Sequence, residues 1–133
     1  MAKLAIPVVF FLSALATSCG GGLADPPRQL VSITVTPAAA DAQDFANGQV
    51  QFTATGDFSD GTTAPISVMW SANPPFTTVA DFYLLNGSGL GQCSGNVGNM
   101  IVYATAPEDP SIPLSKMSVQ TKNVTGTAQL TCP

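Results

Sequence analysis

The chain has 133 residues, room for one domain and a tether, since globular domains usually run about 100 to 150 residues. Charged residues make up only 9%, histidine is absent and Glu108 is the single glutamate, so the groups that usually move protons near neutral pH are nearly missing and an enzyme is not expected. Eight acids against Lys3, Arg28, Lys116 and Lys122 give a net charge of -4, which leaves no basic patch for phosphates and no expectation of nucleic acid as a partner.

The chain begins with "MAKLAIPVVFFLSALATSCGGG", in which Lys3 precedes an apolar stretch from Leu4 to Ala16 and then small residues. That stretch is shorter than the roughly 20 residues of a permanent membrane span, so residues 1–18 read as an export signal and the rest as destined for an oxidising compartment. Ala16, Thr17 and Ser18 are small, as a cleavage site requires, and Cys19 follows them directly. This arrangement resembles the lipobox of bacterial lipoproteins, although Ala16 stands where such proteins usually carry a larger aliphatic residue. The resemblance implies that Cys19 becomes an acylated N-terminus and joins the protein to a membrane. Gly20 is not the aspartate that resembling lipoproteins use for inner-membrane retention, which implies the outer membrane or the cell surface. Residues 19–29, with "GGGLADPPRQ", suit a flexible tether.

From Leu30 onward the pattern has a period of two. "LVSITVT" sets Val31, Ile33 and Val35 against Ser32, Thr34 and Thr36; "QVQFTATG" sets Val50, Phe52 and Ala54 against Gln49, Gln51, Thr53 and Thr55. "ISVMWSA" follows with Ile66, Val68 and Trp70, "NMIVYATAP" with Met100, Val102 and Ala104, and "VTGTAQLTC" with Ala128, Leu130 and Cys132. The expected core therefore includes Ile33, Val35, Val50, Phe52, Trp70, Val102 and Leu130. No stretch after the signal has convincing helical spacing, and turn residues separate the apolar runs. The expected fold is all-β, an antiparallel β-sandwich of two sheets over residues 30–133.

The order "ITVTP", "NGQVQFTATGDFSDGTT", "VMWSA", "GLGQC" and "YATAP" resembles the bacterial immunoglobulin-like group 2 domain, found in surface proteins including intimin- and invasin-type adhesins. The resemblance covers about residues 30 to 132, with "QFTATGDFSDGTT" followed by the tryptophan of "VMWSA" as its most specific part. It implies an immunoglobulin-like sandwich with Trp70 in its core, and adhesion as the activity. "FTTVADFYLLNGSG" and the proline-rich "PEDPSIPLSKM" depart from the pattern and are the places for a private binding surface.

In such an exported sandwich Cys93, shortly before the penultimate strand, and Cys132, near the end of the last, are expected to form a disulfide. It would staple the C-terminal strand without being the inter-sheet bridge of antibody domains. Two isolated cysteines without histidine suggest no metal, and no CxxC suggests redox catalysis. Asp57 and Asp60, and Asp41 and Asp44, fall in loops, but their spacing matches no complete calcium loop. "NGS" at Asn86 and "NVT" at Asn123 are formal glycosylation acceptors that carry no weight in a bacterial protein.

Thr, Ser and Gln on the outward faces suit solvent and are also able to hydrogen-bond a glycan, with Phe82, Tyr83 and Tyr103 as possible stacking platforms. The expectation is a non-enzymatic, lipid-anchored envelope module with no cofactor. Its partners are the membrane, through acylated Cys19, and a protein or glycan of unknown identity. A carbohydrate-binding module and an accessory subunit of an envelope assembly are the alternatives.

Overall fold

The structure is a computed structural model that describes residues 25–73, 82–84, 88–93 and 97–133, with the backbone alone at 73 and 82–84. Cys19, the signal segment, Asn86 and the side chains of Phe82 and Tyr83 lie outside the described residues.

Among the described residues ten strands follow one another: β1 Leu30–Thr36, β2 Ala39–Asp41, β3 Gln49–Gln51, β4 Thr53–Phe58, β5 Thr63–Pro65, β6 Met69–Asn73, β7 Phe82–Leu84, β8 Leu90–Cys93, β9 Gly98–Pro107 and β10 Asn123–Cys132. They form an all-β sandwich. Hydrogen bonding makes three sheets where two were expected: β2-β10-β9-β6 is one layer, while β1-β4-β5 and β3-β8-β7, linked through the continuous run 49–58, make up the other. The period-two residues explain the layering, since Ile33, Val35, Val50, Phe52, Trp70, Val102 and Leu130 are all buried, the last two with Phe52 and Val50 almost completely. Burying such side chains stabilises the fold by about 1.5–3 kcal/mol each. Phe52 and Trp70 meet from opposite layers with ring centroids 6.3 Å apart and planes tilted by 43°.

Several details depart from the sequence pattern. Val31 is 62% exposed while Leu30 is buried, because the pairing of β1 with β4 slips between Leu30↔Phe58 and Ser32↔Asp57. A bulge absorbs the extra residue and returns Leu30 to the core face. The run 49–58 keeps its alternation but is two strands that change partner: the Phe52 N–H still donates to the carbonyl oxygen of Gly89 at 2.8 Å, in register with the pairing of β3 and β8, and from Thr53 onward the chain pairs with β1 instead. The chain thereby passes from one strand group of its layer to the other. "ISVMWSA" enters its sheet only at Met69, since the N–H of Ile66 instead donates to the carbonyl oxygen of Ala54 at 3.0 Å.

The expectation of wholly antiparallel sheets is also modified. β2, inside the segment read as a turn, runs parallel to β10, with Gln129↔Ala39 and Thr131↔Asp41 in register. The remaining described pairs are antiparallel, the longest being β9 with β10, from Asn123↔Pro107 to Cys132↔Gly98.

Candidate functional site

The two ends of the sandwich differ. One end, the base, collects the start of β1, the turn between β4 and β5, and the connection from β9 to β10. Here the chain is fixed from Arg28 onward. The Arg28 guanidinium lies 3.5 Å from the centre of the Phe58 ring, its Nε is 3.2 Å from Oδ2 of Asp60, and its Nη2 donates to Oγ1 of Thr62 at 2.8 Å. Backbone bonds complete the clamp: Gln29 N–H donates to Oγ of Ser59, Ser59 N–H to the carbonyl oxygen of Gln29, and Leu30 N–H to the carbonyl oxygen of Glu108. Sequence reasoning missed this clamp, because partners about 30 positions apart leave no local signal.

Asp60 and Gly61 make the turn that their sequence suggests: Gly61 N–H donates to the carbonyl oxygen of Phe58, and Gly61 has φ +79°. Hydrogen bonds from the Thr62 hydroxyl and backbone N–H, with Arg28 adding its charge, hold the Asp60 carboxyl below its ordinary value. At the far side of the base, Ser111 does the same for Asp109, and Lys122 pairs with Glu108 at 2.7 Å.

The proline-rich connection folds over this end. Between it and the sandwich lies a groove of about 250 Å³, walled by Leu30, Phe58 and Ile66 on one side and by Pro110, Ile112 and Leu114 on the other. Ser67 is the one hydroxyl in its lining. A shallow hollow of about 370 Å³ at the opposite end is lined by Phe45, Asn47, Cys93 and Pro133.

That opposite end carries the disulfide. Cys93 on β8 and Cys132 on β10 are joined, their α-carbons 5.7 Å apart. Because β8 and β10 belong to different layers, the bond ties the layers together as well as fixing the last strand. Ten-residue strands β9 and β10 separate it from the base by about 30 Å.

The carboxylates weighed for calcium do not converge. Asp57 accepts from Oγ of Ser32 at 2.7 Å, Asp60 is held by Arg28 and Thr62, and Asp41 accepts from both the backbone and the side-chain amide of Gln43. Among the described residues no three His, Cys, Asp or Glu side chains are placed to hold a metal ion.

The outward face of β2-β10-β9-β6 has a different character. Met69 and Ile101 are exposed, Tyr103 between them is half-buried, and Thr125, Thr127 and Gln129 line the neighbouring strand. Tyr103 thus stands outside the core, on the solvent side of its sheet. No protein-family model matches the chain, and no curated protein matches it.

Proposed function

We propose that this is a non-enzymatic cell-envelope protein, exported and lipid-anchored through Cys19, whose single immunoglobulin-like domain is a surface binding, adhesion or structural module. The observation that carries the reading is the clamp at Arg28. It fixes the chain at one end of the sandwich, about 30 Å from the disulfide end. The nine residues from Cys19 to Pro27 span at most about 30 Å. An anchor on Cys19 therefore holds the base toward the membrane and directs the disulfide end and the sheet faces outward.

Two further features support the reading. Trp70 is buried between the layers, the place a tryptophan occupies in immunoglobulin-like sandwiches. The disulfide suits export to an oxidising compartment. Two or more acyl chains give stable membrane attachment where one is marginal, so acylation turns a small domain into a fixed surface component.

The test is the intact mass of the protein extracted in detergent from its native membranes, with and without reductant. Loss of residues 1–18 together with added acyl mass is expected, as is a gain of two hydrogens on reduction. An N-terminus that carries no acyl mass removes the anchor and leaves a secreted binding domain.

A further inference from the structure

We propose that the outward face of the β2-β10-β9-β6 sheet binds a neutral polysaccharide, with the Tyr103 ring as its stacking platform. The proposal rests on the reading of the protein as a noncatalytic binding module and deepens it by naming the surface and the ligand chemistry. It begins with register. Tyr103 on β9 lies opposite Ser71 of β6 on one side and Thr127 of β10 on the other; Ile101 lies opposite Gln129, and Met69 opposite Thr105.

Side chains two positions apart on a strand are about 7 Å apart on the same face, and diagonal neighbours on adjacent strands are as close. Met69, Tyr103 and Ile101 therefore form a short apolar stripe running obliquely over β6 and β9. Beside it runs a row of hydroxyl and amide groups on β10, from Thr125 through Thr127 to Gln129. Met69 is 47% and Ile101 45% exposed, which places two of the exposed large apolar side chains of the domain next to a half-buried tyrosine.

Charge and composition decide between occupants. Asp41 is the one charged residue in the sequence of these four strands. It stands at the margin, opposite Thr131, with its carboxylate engaged by Gln43. Among the described residues of this face an anionic ligand finds no counter-charge, and a cationic one finds only the carboxylate already engaged by Gln43. A second copy of the chain is disfavoured by composition: three partly covered apolar side chains expose on the order of 200 Å², and the rest of the face is Ser71, Thr105, Thr125, Thr127 and Gln129, a more polar surface than the apolar core of a homodimer interface.

A pyranose ring fits both features. It offers an apolar face of C–H groups to an aromatic ring, and a rim of hydroxyls to threonine hydroxyls and a glutamine amide that both donate and accept. The backbone under these side chains is already ordered by the continuous antiparallel pairing of β9 with β10, so little backbone freedom is lost when such a ring settles on it.

The test measures retention of the full-length, detergent-extracted protein on insoluble cellulose and chitin, and its affinity for cellohexaose and chitohexaose. Wild type is expected to bind at least one of these polymers. Tyr103→Ala should lose about tenfold in Kd, the scale of one aromatic contact. Tyr103→Phe, which keeps the ring and the packing, should bind within about twofold, and Thr34→Ala on the opposite sheet should leave binding unchanged.

Absence of binding by folded wild type, or full binding by Tyr103→Ala, overturns the proposal. So does a wild-type dimer that Tyr103→Ala converts to monomer, because the face is then a self-interface. A protein that binds the polymers without acyl mass loses the anchor and keeps this face. One that is acylated but binds none of them loses this face and keeps the anchor.

Discussion

Gly89 is pressed against the indole of Trp70: a β-carbon at this position would stand 3.0 Å from Cε2 and Cζ2 of the ring and would also run into the carbonyl oxygen of Phe52. The same glycine accepts the Phe52 N–H at the point where β3 gives way to β4, and its φ is +68°. Gly89→Ala therefore combines a disfavoured backbone with a clash against a buried ring. It should lower stability by about 3 kcal/mol, read as a drop in the urea midpoint. Gly61→Ala, at φ +79° with nothing near the added atom, should cost only about 1 kcal/mol.

The cross-layer disulfide closes a loop whose ends are 39 residues apart. Chain entropy alone assigns it about 4 kcal/mol. The double variant Cys93→Ala, Cys132→Ala should show that loss in chemical denaturation. Since Cys132 is itself buried, a result near zero would mean that the denatured chain is already held compact in this region.

The bulge in β1 separates two valines of one strand. Val35→Ala, at a buried site, should cost about 2 kcal/mol, whereas Val31→Ala, on the exposed side of the bulge, should stay within about 0.5 kcal/mol. Equal losses at the two positions would contradict the register slip.

Arg28 holds the start of the domain through a ring contact, an ion pair and a hydrogen bond, all at the surface. Solvent-exposed contacts of these kinds are weak, so Arg28→Ala should lower global stability by only about 1 kcal/mol. Its larger effect should be local. Amide exchange at Gln29 and Ser59, whose N–H groups bond across the clamp, should speed up much more than exchange in β9 and β10.

The pH dependence has a defined sign. Asp60 and Asp109 have carboxyls held below the ordinary value of 3.8, by Thr62 with Arg28 and by Ser111 respectively. A depressed folded-state value means that the unfolded chain binds protons first as pH falls. The stabilisation is therefore complete above the unfolded value near 4 and disappears as pH drops through the folded values. The difference in urea midpoint between wild type and Asp60→Asn should be present at pH 6 and should close in more acidic solution.

Alternation made most of the sandwich legible. The core positions Ile33, Val35, Val50, Phe52, Trp70, Val102 and Leu130 follow from a period of two, because each strand buries one face. Cysteine placement within that pattern led to the pair Cys93 and Cys132. Short strands were not legible: β2 and β5 have three residues each, too few for a period, and the pairing of β2 with β10 is made across about 90 positions.

The sequence by itself determined the fold class and, Val31 apart, the buried face of each long strand, and it pointed to Cys93 and Cys132 as the cysteine pair, because these depend on local alternation and on how few cysteines there are to choose from. Only the tertiary structure decided that Val31 faces out, that Arg28 closes over Phe58, that the disulfide crosses between layers, and that Met69, Tyr103 and Ile101 share one outward face. Register and the order of strands in a sheet set each of these. Both arise from contacts between distant segments that local periodicity does not encode.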